Sequence, residues 1–461
     1  MSNFPLLAIV ILIICIALQS ERGIFDLFSY LHLFRRLKSR ESVPQYNHLE
    51  KKTIFILIPM LREQAIAEDS ILCFCRLAHE YLNVKIVILT SERELTERQE
   101  FNQLTTEDII LNSMQKGELS AYKDMIMIIR DPNARGNIAT QLNYGLNIIV
   151  ETAPRESFYM VYNADSVLSQ RTLNKLADLM LMNQHPNKEF AVQQPCAFVK
   201  EMNPQSNNFT NAMSLYQSWY CLGHESRIVR KYAKRSEKWW GRKNGKLGVV
   251  VGHGSGMTIN IHCSNGGYPS ELLTEDLTFG FILSTKNIPI LSLPALELAD
   301  VPTHFSVFIK QKSVWFWNFL GYGNCYKKML CQGYPLFKTT SLFIQGIGAG
   351  AYWFLDTCFI LTPLIISLYY KSSHGVVISI LSFIIFYIFP QYVLFKLLPN
   401  ILDSQDFSFY AKNIRKVSFV KILPTLCLII MTNSVGPWIA TVKWLRYMVT
   451  GRLPAKYKTG N

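Results

Sequence analysis

Three short stretches of this chain hold side chains able to serve one reaction. The first is "LLTEDLTFG", Leu272 to Gly280, which sets Glu275 and Asp276 side by side where an apolar helix begins. Thr274 is placed to cap a helix starting at Glu275, and the partial positive charge of that helix end favours ionised acids in its first turn. Burial acts in the opposite sense by raising a carboxyl pKa. An aspartate held between the two effects stays charged and still accepts a proton from a hydroxyl as that oxygen attacks. The same pair equally suits a surface helix whose acids only complement the dipole.

The second stretch is "FYMVYNADS", Phe158 to Ser166, a β-type run ending in an acid. Asp165 would sit just past the carboxyl end of a strand, and a hard divalent ion bridging a diphosphate needs one or two such oxygen ligands. On an extended chain Asn163 points the same way and offers an amide oxygen or a ribose contact. An aspartate here also serves as a turn former or helix cap. In the third stretch, "KQKSVWFW" from Lys310 to Trp317, Gln311 and Trp315 are four apart and share a helix face. An indole covers the apolar face of a sugar ring, and a glutamine bonds phosphate or hydroxyl oxygens. An aromatic-rich helix before an apolar span also serves as an interfacial anchor.

Alternating elements must position these groups. From Lys52, "TIFILIP", "VKIVILT", "MIMIIR" and "FYMVYN" read as strands, with a helix after the first through about Leu82 and another over "NIATQLNYGLNIIVE". That alternation predicts a parallel sheet covered on both faces, with ligands at the carboxyl ends of its strands. Apolar segments flank the unit. "PLLAIVILIICIAL", Pro5 to Leu18, has neither the preceding positive charge nor the cleavage site of a signal peptide and reads as an anchor, extended by "FDLFSYLHLF". Ser341 to Tyr369, Gly375 to Leu398 and Val417 to about Leu445 follow, the last with a break expected at Gly436-Pro437, giving three to five spans in all. Asp356 falls inside one of them, where an ionisable group lines a path or pairs with a partner. The small residues of "GIGAG", Gly346 to Gly350, permit close helix packing.

Composition agrees with a mixed chain: 49% of the 461 residues are apolar and 17% charged. The net charge of +14 gathers beside the apolar segments, in "LFRRLKSR" (Leu33 to Arg40) and at Lys443, Arg446, Arg452, Lys456 and Lys458, as on the cytoplasmic side of membrane proteins. With no zinc finger, RNA-binding signature or base-reading basic helix, nucleic acid is not an expected partner. The ten cysteines show no paired metal spacing and read as reduced thiols.

In order and separation, "NAD" (Asn163 to Asp165), "TED" (Thr274 to Asp276) and "QKSVW" (Gln311 to Trp315) resemble the motifs of the membrane-embedded family 2 glycosyltransferases. That group contains cellulose, chitin and hyaluronan synthases and, more distantly, ceramide glucosyltransferase. "IPMLREQ" is similar to its opening loop, with Glu63 in the nucleotide-contacting place, and "QLNYGL" to the helix that follows its phosphate-side loop. "VVGHGSGMTIN", Val250 to Asn260, stands where relatives carry an acceptor loop, which makes His253, Ser255 and Gly256 acceptor-side candidates; a glycine-rich turn reads the same way. Three departures stand out: Asn163 replaces the first aspartate, "TSERE" replaces the base-recognition acids, and Val314 replaces an arginine. Lys312, Lys310 or the basic stretch Arg227 to Lys243 is available to supply that charge.

The resemblance implies an α/β, GT-A (Rossmann-like) cytoplasmic domain. It divides the chain into an anchor and basic linker (1–44), the catalytic domain (45–303), interfacial amphipathic helices (304–340) and a C-terminal transmembrane region (341–461). The expected activity is inverting transfer from a nucleotide-diphosphate sugar to a growing polysaccharide or to a lipid-linked acceptor. Asp276, beside Glu275, is then the base, Asp165 the ligand of Mg2+ or Mn2+, and Gln311 and Trp315 the positioning groups. A multi-pass protein of the cell membrane in contact with lipid follows. A transporter with a nucleotide-binding domain is the alternative of another class.

Overall fold

The computed structural model describes residues 5–38, 53–81, 83–101, 104–182, 189–236, 245–271 and 274–450. Arg40, Arg452, Lys456, Lys458, Leu272, the end of the basic stretch 227–243 and the 44/45 boundary lie outside these. The strands are β1 (Ile54–Pro59), β2 (Val84–Ser91), β3 (Ile126–Asp131), β4 (Phe158–Val161), β5 (Val167–Leu168), β6 (Ala191–Gln193), β7 (Cys196–Ala197), β8 (Ser255–Thr258), β9 (Ile290–Ser292) and β10 (Glu297–Leu298). Seven form one sheet in the order β3-β2-β1-β4-β8-β6-β9, and β5-β10-β7 form a second. The four strands read from sequence pair in parallel. The all-parallel expectation is corrected at β8, which runs antiparallel to both β4 and β6.

Runs such as "IFILIP" are buried on both faces of β1, as a sheet covered on both sides requires. One face packs the helix Ala67–Ala78, which ends earlier than expected, together with Ile110 and Leu176. The other packs Leu142 and Leu146 of the helix Ile138–Thr152 and Phe279 to Leu283 of the helix Asp276–Thr285. That second core continues into the 27-residue helix Phe305–Cys331 through Phe316, Phe319 and Tyr322.

Among the described residues, four helices are long and apolar enough to cross a membrane: Leu6–Lys38, Leu336–Tyr369, Ser373–Ser404 and Phe419–Thr450. The count lies within the expected three to five. The interruption of the last falls at residues 432–434, not at Gly436-Pro437. Pro437 belongs to the first turn of Val435–Thr450, where a missing N–H costs nothing. A Cβ on Gly436 would stand 2.5 Å from Lys312 Cβ, so that glycine admits a neighbouring helix. Gly346 and Gly350 likewise meet Tyr322 and Phe319.

Asp356 is not a lone acid. Arg22 Nη1 lies 2.9 Å from its Oδ2, and Tyr387 Oη and Asn433 Nδ2 each donate to it at 2.9 Å. Arg22 stacks over Trp219 and Tyr352 and stands 3.9 Å from Asp26, which meets Arg227 and His224. The network ties the first helix both to the C-terminal helices and to the π-turn Tyr220–Glu225 between the helices Asn208–Trp219 and Ser226–Ser236.

Candidate active site

The loop Val251–Gly254 connects the sequence motifs. Gly254 N donates to Val161 O at 2.8 Å, anchoring the loop to the carboxyl end of β4. Gly252 N donates to Asp276 Oδ2 at 3.0 Å, and Leu277 N donates to Asp276 Oδ1 at 2.8 Å. Gln193 clamps the loop twice, accepting from Val251 N at 2.8 Å and donating to His253 O at 2.9 Å. Gly254 has φ +62°, a conformation favouring glycine. A Cβ there would also lie 2.5 Å from Glu297 Oε2.

The helix at Asp276 is not capped as expected. It starts one residue later, Glu275 is its N-cap residue in a helical conformation, and no side chain caps it. Thr274 Oγ1 is buried with no hydrogen-bond partner among the described residues. Asp276 accepts from the Leu277 N–H in the first turn of its own helix and from the Gly252 loop amide, so its carboxylate does work the threonine was expected to share. The loop before this motif is stapled by the "QLN" asparagine: Asn143 Nδ2 donates to Tyr268 O at 2.9 Å and Tyr268 N donates back to Asn143 Oδ1 at 2.8 Å.

Asp165 lies half-buried in a turn beyond β4, where Ser166 N donates to Asn163 O at 3.1 Å. The strand has ended by then, so the alternation argument for Asn163 is corrected: Asn163 is exposed. Asp300 N donates to Asp165 Oδ2 at 3.3 Å, and Lys200 bridges the Asp165 carbonyl and Asp300 Oδ1. Burial, with the Asp165 charge nearby, pushes the Asp300 and Glu201 carboxyls up, while Lys200 opposes this. Glu201 Oε2 is buried with no hydrogen-bond partner among the described residues.

Contacts continue from Asp165 to its neighbour Ser166, whose Oγ donates to Glu297 Oε1 at 2.6 Å. Glu297 Oε2 meets His253 Nδ1 at 3.2 Å. Burial pulls the His253 pKa down, but Glu297 outweighs it and the imidazole is pushed up to about 9. Burial pushes the Glu225 carboxyl up, against the pull of Cys221, His253, His224 and Lys312.

Lys312 is 1% exposed and stands in an aromatic cage. Its Nζ lies 4.5 Å from the Trp315 centroid, 5.2 Å from Tyr220, 5.4 Å from Tyr216, 5.5 Å from Trp353 and 5.9 Å from Phe308. Burial lowers its pKa to about 8, against the pull of Cys221 and Glu225. Gln311 Oε1 accepts from Gln217 Nε2 at 2.8 Å. Phe281 on the Asp276 helix meets Tyr322 of the Phe305–Cys331 helix, with ring centroids 5.7 Å apart.

Contacts through Ser166, Glu297 and the loop Val251–Gly254 thus join the Asp165 turn, His253 and Asp276, and the helix that carries Lys312 and Trp315 packs against the Asp276 helix. Glu63 is positioned by other elements, beyond β1, where its amide donates to Thr106 Oγ1 at 3.0 Å. Ser255 and Gly256 do not form a loop: they lie buried in β8 opposite Val161 and Met160, and Gly256 lets the two backbones close together. In the "TSERE" segment, Glu94 is 5% exposed and takes hydrogen bonds from Thr106 N and Oγ1, so that acid serves the fold. Sequence reasoning missed Glu297, Glu225, Glu201, Asp300 and Gln217. A single acid inside the apolar run "LPALELA" is the signal that marks Glu297.

No protein-family model and no curated protein matches the chain. Among solved structures it is similar to the mannosyltransferase PcManGT from Pyrobaculum calidifontis, described in complex with GDP-Man and Mn2+. The identity is 14% and the TM-score 0.46 over 90% of this chain and 99% of that one. A TarS 1-349 structure from S. aureus matches at 11% identity and TM-score 0.35, covering 87% and 92% of the two chains. A second TarS structure matches at 11% and 0.34, covering 79% of this chain and 55% of that one. Likenesses at this level leave the activity to be argued from the side chains themselves.

Proposed function

We propose that the protein transfers a sugar from a nucleotide-diphosphate donor to a hydroxyl of a membrane-associated acceptor, inverting the anomeric carbon in one displacement. The observation that carries this reading is the loop Val251–Gly254. It fastens Asp276 on one side and the end of β4, with Asp165, on the other. Asp276 takes the proton of the attacking hydroxyl, with Glu275 beside it, and its two backbone hydrogen bonds fix the carboxylate in place. Trp315 and Gln311 position sugar and phosphate, with Asn163 and Glu63 on the nucleotide side. Lys312 supplies the positive charge that Val314 does not. Orientation of this kind lowers a barrier by about 7–11 kcal/mol at best.

The surroundings of Asp165 suit a hard cation. Asp165 and Asp300 offer carboxylate oxygens there, and the Lys200 ammonium, which now pairs with Asp300 Oδ1 and the Asp165 carbonyl, marks the place of a positive charge. Asp165 would hold Mg2+ or Mn2+, which when bound offsets the charge of the departing diphosphate. A GT-A catalytic domain on the cytoplasmic face of the cell membrane is part of the same reading. The three long apolar helices that follow the catalytic unit among the described residues favour, in this reading, growth of a glycan over a single addition to a lipid-linked acceptor.

Membranes holding the full chain, given a panel of nucleotide sugars with Mg2+ or Mn2+, are expected to release free nucleotide from one donor. Chelation should stop the release and either ion restore it. Release from none of the panel would overturn the reading, and product length separates polymer from single addition.

A further inference from the structure

Cys196, His253 and Glu297 come from β7, the loop before β8, and β10, and each turns a ligand-type atom toward the other two. The Cys196 Sγ, a His253 ring nitrogen and a Glu297 carboxylate oxygen all lie within 4.8 Å of one another. Cys196 and Glu297 are paired residues of adjacent strands, so the sheet itself fixes two of the three. We infer that this triad is a transition-metal site, taking a Zn2+-like ion with three protein ligands and one open position.

One pair of the three already stands at the spacing such an ion needs. Nitrogen and oxygen ligands about 2.0–2.2 Å from a tetrahedral ion stand about 3.4 Å apart, and a thiolate at about 2.3 Å stands about 3.6 Å from either. His253 Nδ1 and Glu297 Oε2 are already 3.2 Å apart. The donor set of sulfur, nitrogen and oxygen suits a borderline ion, whereas Mg2+ takes oxygen alone. The site therefore differs in class from the lone carboxylate proposed for the metal at Asp165. Outer contacts are in place as well. Ser166 Oγ holds Glu297 Oε1 at 2.6 Å, and Gln193 Nε2 holds the His253 carbonyl at 2.9 Å. Cys196 and Glu297 are 2% and 0% exposed, so the ion would sit in a dry setting. Since His253 lies between the loop's two anchors, a metal on it would fix the segment that binds Asp276 through Gly252.

The inference does not depend on the transferase reading, and its test does not use turnover. The full-length protein, purified in detergent and dialysed against metal-free buffer, is expected to retain about one equivalent of zinc by elemental analysis. After stripping and loading with Co2+, it should show a thiolate-to-cobalt charge-transfer band. Cys196→Ser and Glu297→Gln should lose the band or most of the metal. Cys73→Ser, at an exposed cysteine, and Asp165→Asn should keep both. Should Cys196→Ser fail to fold, Co2+ protection of Cys196 from alkylation in the wild-type protein answers the same question. Wild-type protein that binds neither Zn2+ nor Co2+, or a band that persists in Cys196→Ser, overturns the inference.

Discussion

Replacing Asp276 by asparagine separates two roles that the structure gives one carboxylate. Its oxygens accept from Gly252 N at 3.0 Å and from Leu277 N at 2.8 Å. An asparagine has one acceptor oxygen, so its NH2 must face one of these donors and one hydrogen bond is lost. Such a loss costs about 0.5–1.5 kcal/mol, small against a folding stability of about 5–15 kcal/mol. The variant should therefore fold, with the loop Val251–Gly254 close to its place. What it loses is the proton acceptor, worth about 10²–10⁴-fold in rate, or about 2.7–5.4 kcal/mol at 1.36 kcal/mol per decade. Rapid-quench measurement of nucleotide release, beside calorimetric titration of the donor, reads both quantities. The expected result is kcat lower by that factor with donor Kd changed by about threefold or less, under 1 kcal/mol. A variant within tenfold of wild-type kcat, or one whose donor binding disappears along with turnover, refutes the reasoning.

Thr274→Val removes a buried hydroxyl that has no partner among the described residues, so thermal stability should hold or rise slightly, whereas a true cap would cost about 1 kcal/mol. Arg22→Met leaves Asp356 without its cation and should destabilise the detergent-solubilised protein by about 3–5 kcal/mol, and the double change Arg22→Met/Asp356→Leu should recover most of it; equal losses in single and double variants would show that the pair is not coupled. Lys312, with its pKa pushed down to about 8, carries charge below that pH and loses it above. Donor KM should therefore rise as pH passes through 8, and Lys312→Met should have a raised KM without that rise; a wild-type profile flat across pH 7–9.5 removes Lys312 from phosphate binding.

The regular parts were legible because the sheet repeats one simple rule. β1, β2 and β4 are apolar runs buried on both faces, and the helix Ile138–Thr152 announces itself by apolar spacing. The antiparallel β8 was hidden because "SGMT" is four residues long and owes its place to Gly256, whose missing side chain lets β4 close in. Asp276, Asp165 and Trp315 could be picked out because acids and indoles are costly to place without purpose. Glu297 could not be assigned a neighbour, since its meeting with His253 depends on the pairing of two-residue strands, a long-range fact. Asp356 was visible as an anomaly, but Arg22 lies far away in the chain and nothing local joins them. The break at 432–434 was misplaced because Gly-Pro is the stronger local signal, while the observed site is set by polar bonds from Asn433 and Ser434 to a neighbouring helix.

His224 and Glu225 are consecutive, yet one belongs to the ion network of the first helix and the other to the electrostatic field around His253 and Lys312. The π-turn that holds them is thus a lever with two short arms. Acyl-chain thickness, by tilting Leu6–Lys38, would be transmitted through Asp26 to the geometry around Lys312, so turnover in thin and thick bilayers should differ even at constant surface charge.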